Sequence, residues 1–378
     1  MDRRTLIQSA LVGGAVGIGA GLATARIAGP EQAAGPARQQ ATRAGGPLKR
    51  LKMVTSWPKN LPGLGESAER VSQLVNAMSG GELEIRVYAA GEMVGAFEVF
   101  DAVSSGAADL YHSADYYWGG KSAAYPFFTA VPFGLAAAEH MAWIDWGGGQ
   151  KLWDELSGQF GIVPMQAANT GHQMAGWFKR EINSLDDFRG LKMRIPGLGG
   201  EVIRALGGAA VQMPGGEIYG ALQSGLIDAT EWVGPWNDFF LGFYREAPLY
   251  YGPGFHEPGA SLAVGVNRKA WEGLSTEHQA IIRAACATSN HMSVGEFTFQ
   301  NSAYLKILRE QHNVQVRSFP KDVWARAGEA AKDILAKTGS GDGLAKRIYQ
   351  SFTAFRKSAD GWAAVSDAPY LPLRALGE

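Results

Sequence analysis

From Gly190 to Trp236 the chain reads GLKMRIPGLGGEVIRALGGAAVQMPGGEIYGALQSGLIDATEWVGPW and passes twice through one cycle. A short apolar run ends in a Pro/Gly turn, a helical pattern follows, and the chain returns to strand. Such a cycle leaves few options: strands fed by helices predict an open parallel sheet covered by helices, with its site in the loops beyond the strands' carboxyl ends. The same rhythm starts earlier. Lys52–Ser56 and Leu83–Tyr88 read as strands, Glu66–Met78 and Phe97–Val103 carry apolar residues at helical spacing, and Ala108–Tyr111 is a further strand. A second series runs from Ile162 through Glu231. After Glu257-Pro258, Ser261–Asn267 reads as a strand and Ser275–Gln311 as a long helix opened by Ser-Thr-Glu. Val314–Phe319 is strand-like, and Pro320–Lys337 and Leu344–Ala359 close the chain as amphipathic helices.

Within the opening stretch, Arg194 stands where a strand opens into a turn. A guanidinium so placed can grip a carboxylate through two parallel hydrogen bonds, or form an ordinary surface ion pair. The glycines at Gly197, Gly199 and Gly200 resemble half of a dinucleotide fingerprint. The third glycine position is Val202, however, and Glu201 would face a pyrophosphate, so a turn and helix start is the better reading.

The remaining composition narrows the class. The 378 residues carry a formal net charge of −1, which gives no footprint for nucleic acid or a charged membrane surface. Cys286 is the only cysteine, so an intramolecular disulfide and a cysteine-cluster metal site are excluded. The seven histidines show no metal spacing. At the N-terminus, Arg3-Arg4 precedes a Gly/Ala-rich apolar run, which reads as a twin-arginine export signal over residues 1–25. Residues 26–49 lack hydrophobic periodicity and read as a disordered linker. The folded part is therefore expected outside the cytoplasm, in the periplasm.

Three segments carry a resemblance. Asn169-Thr170-Gly171-His172-Gln173-Met174-Ala175-Gly176-Trp177-Phe178, Leu191-Lys192-Met193-Arg194 and Ile227-Asp228-Ala229-Thr230-Glu231-Trp232-Val233-Gly234-Pro235 resemble the solute-binding proteins of tripartite ATP-independent periplasmic (TRAP) transporters. The last segment is similar to the branch that binds 2-oxo and 2-hydroxy monocarboxylates with a metal cation. This resemblance implies two α/β domains joined by hinge strands and a long connecting helix, with ligand in the interdomain cleft. Mapped onto the chain, domain I takes residues 50–172 and 260–311, and domain II takes 173–259 and 312–378 with a C-terminal helical extension. It further implies that Arg194 holds the substrate carboxylate and that Gln173, Glu231, Trp232 and Glu257 surround the cation, with Asn169 beside them. Membrane permease subunits are the implied partners, and a homodimer through the C-terminal helices is expected.

Elementary physics tests parts of that assignment. Adjacent strand residues point to opposite faces, so Glu231 and Trp232 should not both send side chains into one cleft; Trp232 would then serve through its backbone carbonyl. Two glutamates and a substrate carboxylate place three negative charges against Arg194. Like charges about 4 Å apart repel by roughly 4 kcal/mol at partly buried dielectric, and a cation between them reverses that term. Oxygen ligands suit Na⁺ or Ca²⁺. Tyr116, Tyr117 and Trp118 either roof a small organic tail or pack in the core, and Glu257 is either a ligand or a solvated loop acid. His256 departs from the bulky aromatic of the resembling branch, and is read as a pocket-widening residue, a hydrogen-bond donor or a solvent-facing side chain. Two other readings compete: an exported metal-dependent enzyme acting on a small carboxylate, and a ligand sensor.

Overall fold

The computed structural model describes residues 48–341 and 343–377, so the expected export signal, and the expected linker as far as residue 47, lie outside the described residues. The described residues form one compact unit built on two sheets. The strands are β1 Lys49–Thr55, β2 Leu83–Tyr88, β3 Leu110–Ser113, β4 Ile162–Asn169, β5 Gly176–Phe178, β6 Lys192–Arg194, β7 Ala209–Val211, β8 Ala229–Thr230, β9 Leu249–Tyr251, β10 Ser261–Asn267 and β11 Gln315–Arg317. The first sheet has the order β2-β1-β3-β10-β4, and the second β11-β9-β5-β8-β6-β7.

Neither sheet is purely parallel, which corrects the expectation drawn from the strand–helix rhythm. β1 pairs in parallel with β2 and β3, but β10 runs antiparallel to both β3 and β4. In the second sheet β5 runs antiparallel to β8 and β9. The exceptions are strands that leave or enter a sheet from the other one. Such a strand arrives without a covering helix, so the parallel rule of the crossover unit does not bind it. The chain passes from first sheet to second between β4 and β5, returns between β9 and β10, and leaves again through a long helix before β11.

That helix, Thr276–His312, explains why the two sheets stay together. Ser275 caps it, its hydroxyl accepting from His278 N at 3.1 Å. Ile282, Cys286, Ser289, Ser293 and Phe297 recur at helical spacing on its buried face. Small polar residues in the middle of that face let β4 approach, and Ser293 Oγ accepts from Asn169 N at 2.8 Å. One turn further on, Phe297 packs edge-on against Trp236, and Asn301 Oδ1 accepts from Trp236 N at 3.0 Å. One rigid rod therefore touches the ends of β4 and the segment beyond β8.

The C-terminal helix departs from its expected place with residues 173–259. Gly343–Ala363 packs on the first-sheet side, where Phe352 lies 5.2 Å from the Phe127 ring and 5.1 Å from Trp143. Trp143 Nε1 donates to Ser351 Oγ at 3.1 Å, and Arg347 pairs with Glu155. Residues beyond it expose apolar side chains, among them Val365, Tyr370, Leu373 and Leu376. Replacing Phe352 with alanine removes a 1 % exposed ring from this seam. It is expected to lower unfolding free energy by about 3–5 kcal/mol in urea titrations; a change below about 1 kcal/mol would contradict this packing role.

Candidate functional site

The site grows out of the two crossings between sheets. The antiparallel β4–β10 ladder ends on the pair Asn169 and Ser261. The crossing segments then continue as a hydrogen-bonded pair: Thr170 N donates to Ala260 O at 3.0 Å, Gln173 N to Glu257 O at 3.2 Å and Gly254 N to Gln173 O at 2.8 Å. Backbone pairing therefore sets Gln173 opposite Glu257, although 84 residues separate them. Gln173 Nε2 completes the link, donating to Glu257 Oε2 at 2.8 Å and to Thr170 Oγ1 at 3.1 Å.

Arg194 comes from the other direction, at the end of β6, where its register partner on β8 is Thr230. Only 1 % of it is exposed, so the surface ion-pair reading fails. Its Nη1 donates to Glu231 Oε1 at 2.6 Å and to Glu231 O at 3.0 Å, and Nε donates to Met213 O at 3.3 Å. Only Nη2 is buried without a partner. The guanidinium is thus already held on one side by Glu231, and a fork of two free nitrogens for an incoming carboxylate does not exist in this arrangement. One nitrogen does.

The strand-alternation argument about Glu231 and Trp232 fails, because β8 stops at Thr230. Past that point the chain bends toward the Pro235–Leu241 helix, with Val233 N donating to Asp238 Oδ1 at 3.1 Å. Both side chains meet Arg194: Glu231 through the ion pair, Trp232 with its ring 5.0 Å from the guanidinium carbon. The glycines of the opening stretch make room for this. A Cβ at Gly215 would lie 2.5 Å from the Trp232 ring, and one at Gly199 would lie 2.7 Å from His256 Cβ.

His256, left open by the sequence, is neither solvent-facing nor a widening of the pocket. It is 2 % exposed, and its Nε2 meets Glu231 Oε2 at 3.1 Å. Glu231 is therefore held by both oxygens. Glu257 is 3 % exposed, so the solvated-loop alternative fails too. Burial, and then the neighbouring Glu231 charge, push its carboxyl well above the ordinary range, against the pull of Arg194, Tyr116 and Gln173. One ligand atom each from Glu231, His256 and Glu257 falls within 4.8 Å of the others.

Tyr116 and Tyr117 close the remaining side. Their rings meet edge-on, centroids 4.8 Å apart, and Tyr117 lies within the field of Arg194. Burial raises both phenols. Their neighbour Trp118 packs elsewhere, between Phe100 and Tyr111 in the first-sheet core. The cavity here is about 10 Å³, lined by Trp57, Leu64, Tyr116, Tyr117, Thr170, Gln173, Trp232, Val233, Ala260 and Leu262. Asn169 is not in that lining; its Oδ1 accepts from Gly171 N at 2.9 Å, which braces the turn before Gln173. Trp57 and Leu64 were not singled out by sequence. Trp57 follows the carboxyl end of β1, where sites of α/β sheets gather, and that position was the available signal.

Buried polar groups without partners concentrate here. Gln173 Oε1, Arg194 Nη2, Asn169 Nδ2, Trp232 Nε1 and His256 Nδ1 all lack one. Such groups cost about 1–3 kcal/mol each when left unmade, so their clustering marks a place built to be completed by something else. An unpaired amide oxygen beside two carboxylates suits a hard cation, and an unpaired guanidinium nitrogen suits an anion.

Comparison with known proteins agrees with that chemistry. The family model of bacterial extracellular solute-binding proteins, family 7 (DctP), matches residues 53–341. A monocarboxylate 2-oxoacid-binding periplasmic protein of Nostoc sp. is 40 % identical over 328 residues, covering 87 % of this chain and 90 % of the relative. A TRAP transporter solute-binding protein of Bordetella bronchiseptica, solved as a mixed-occupancy dimer with copurified calcium and picolinate, is 37 % identical with a TM-score of 0.85 over 88 % of this chain and 98 % of that one. A TRAP periplasmic solute-binding protein of Pseudoalteromonas atlantica with bound sodium and pyruvate is 38 % identical with a TM-score of 0.83, covering 86 % and 99 %. With its two sheets, paired crossings, long connecting helix and this match along most of its length, the chain belongs to the DctP family of TRAP-transporter solute-binding proteins.

Proposed function

We propose that this chain is a periplasmic receptor that captures a small 2-oxo or 2-hydroxy monocarboxylate together with Na⁺ or Ca²⁺ and hands it to membrane permease subunits. The observation that carries the reading is one pair of unsatisfied buried groups: the Gln173 Oε1 acceptor and the Arg194 Nη2 donor, on either side of Glu231 and Glu257. Gln173, Glu231 and Glu257, with the carbonyl of Trp232, would hold the cation. Bound there, it supplies positive charge between carboxylates that otherwise repel.

A 2-oxo acid presents one carboxylate oxygen and an adjacent carbonyl oxygen as a chelating pair, and a 2-hydroxy acid presents a hydroxyl instead. Picolinate, held with calcium by the Bordetella protein, has the same adjacency of a carboxylate and a second donor atom. The second carboxylate oxygen is then free for Arg194 Nη2. Short fatty acids lack the chelating partner and should bind more weakly. The protein in this reading transforms nothing; ligand contacts to groups from both sheets favour the closed arrangement.

The exposed apolar residues Val365, Tyr370, Leu371, Leu373 and Leu376 support a homodimer formed through the C-terminal segment. The dimeric Bordetella relative supports the same reading. The twin arginine at Arg3-Arg4 supports export of the folded chain.

Calorimetry on metal-stripped protein tests the central pairing. Pyruvate should bind stoichiometrically, without turnover, when calcium or sodium is restored. Equal affinity in the absence of both would reject the cation role. Arg194→Lys keeps a charge opposite Glu231 but loses the planar donor, and should weaken pyruvate binding at least about tenfold; unchanged affinity in a folded variant would reject the carboxylate contact. In sedimentation equilibrium at micromolar concentration the protein should run as a dimer and the Leu373→Asp/Leu376→Asp variant as a monomer, whereas a monomeric wild type would remove the dimer.

A further inference from the structure

Trp57 and His112 belong to none of the groups proposed to hold the cation or the carboxylate, yet Trp57 lines the site and His112 is bonded behind it. Trp57 is 2 % exposed and lines the cavity from the first sheet. Its ring meets Trp232 from the second-sheet side edge-to-face, centroids 6.4 Å apart and planes at 85°. Its indole N–H donates to His112 Nδ1 at 2.7 Å. The two residues are brought together by strand register: Thr55 on β1 pairs with His112 on β3, so Trp57 begins the turn directly beyond its partner's strand.

The hydrogen bond dictates the state of the imidazole. Nδ1 must carry the lone pair, which leaves the proton on Nε2, a buried nitrogen with no partner. Burial depresses His112 to about 3, so the ring is neutral at physiological pH and the acceptor persists. The ring also stands edge-on to Trp57 at 6.1 Å. A buried histidine that accepts from an indole and leaves its own N–H unpaired costs stability; its hydrogen bond favours the orientation that points the Trp57 N–H at Nδ1.

The lining divides by chemistry. Gln173, which bonds Glu257, and Tyr116, Tyr117 and Thr170 are its polar side, while Trp57, Leu64, Ala260 and Leu262 are its apolar wall. An acid whose carboxylate and 2-oxo oxygens face the polar side turns its tail to that wall. We propose that Trp57, oriented by His112, caps the substrate tail and sets its length limit, with His112 as a positioning residue that touches no ligand atom. This rests on the 2-oxo-acid reading above.

The test has two arms on the mature full-length protein. In the ligand-free state, the ¹⁵N-labelled indole N–H of Trp57 should be shifted by its nitrogen acceptor and protected from exchange. His112→Asn, which keeps an acceptor near the Nδ1 position, should retain that signature, and His112→Gln, which moves the acceptor by one bond, should lose it. In the second arm, pyruvate and 4-methyl-2-oxopentanoate are titrated with excess calcium. Trp57→Ala should shift the affinity ratio at least about tenfold toward the longer acid, as pocket-size changes of this order do. His112→Gln should shift it in the same direction, His112→Asn should leave it within about threefold, and the Trp57→Ala/His112→Gln double variant should match Trp57→Ala alone.

An unchanged ratio in Trp57→Ala overturns the tail cap. Identical spectra and ratios for His112→Gln and wild type overturn the positioning role. Wild-type protein that binds neither acid with calcium overturns the 2-oxo-acid reading and the tail cap together, while the ligand-free spectra still decide the role of His112.

Discussion

The buried pairing of Arg194 with Glu231 is the interaction on which the site depends. It joins β6 to the segment beyond β8 and spends one guanidinium nitrogen and one carboxylate oxygen on internal structure. A buried pair of this kind adds little net stability, but removing one partner strands the other and costs about 3–5 kcal/mol. Glu257 then makes the count uneven: two buried carboxylates stand beside one guanidinium. Burial answers part of that imbalance by driving Glu257 toward its neutral form, as its raised pKa indicates. In the proposed reading a bound cation would answer it without a proton, and so draw a metal and an anion in together.

Everything around the pair serves to bring distant segments to it. The crossing strands hydrogen-bond to each other, so Gln173 and Glu257 arrive as a unit. The Thr276–His312 helix braces both the Asn169 end of β4 and the Trp236 segment. Glycines at positions 199 and 215 let His256 and the Trp232 ring approach to distances any side chain would forbid. The glycine richness that imitates a nucleotide fingerprint in the sequence is, in the folded chain, clearance for a histidine and a tryptophan.

Much of this was legible before the fold was known, and the failures have physical causes. β2 and β10 fall where the sequence puts them, at Leu83–Tyr88 and Ser261–Asn267, because both are bounded by clear turn residues. The long helix starts one residue after its Ser275 cap, as the Ser-Thr-Glu pattern indicates. The antiparallel direction of β5 and β10 escaped notice because rhythm reports which elements alternate and says nothing of which sheet each joins. Arg194 was found, but not its burial or its partner; an ion pair between positions 194 and 231 leaves no local signature. The pairing of Glu231 and Trp232 misled because strand alternation was extended past the end of a two-residue strand. Trp57 and His112 stayed invisible for a further reason: a hydrogen bond between 2 side chains on neighbouring strands depends on register, which sequence leaves open.

The most direct test of the central claim is a crystal structure of the protein with calcium and pyruvate. The account predicts a cation in contact with Gln173 Oε1 between Glu231 and Glu257, the pyruvate chelating it, and the free carboxylate oxygen on Arg194 Nη2. A pyruvate bound away from Arg194, or a cation that leaves Gln173 Oε1 untouched, would contradict it.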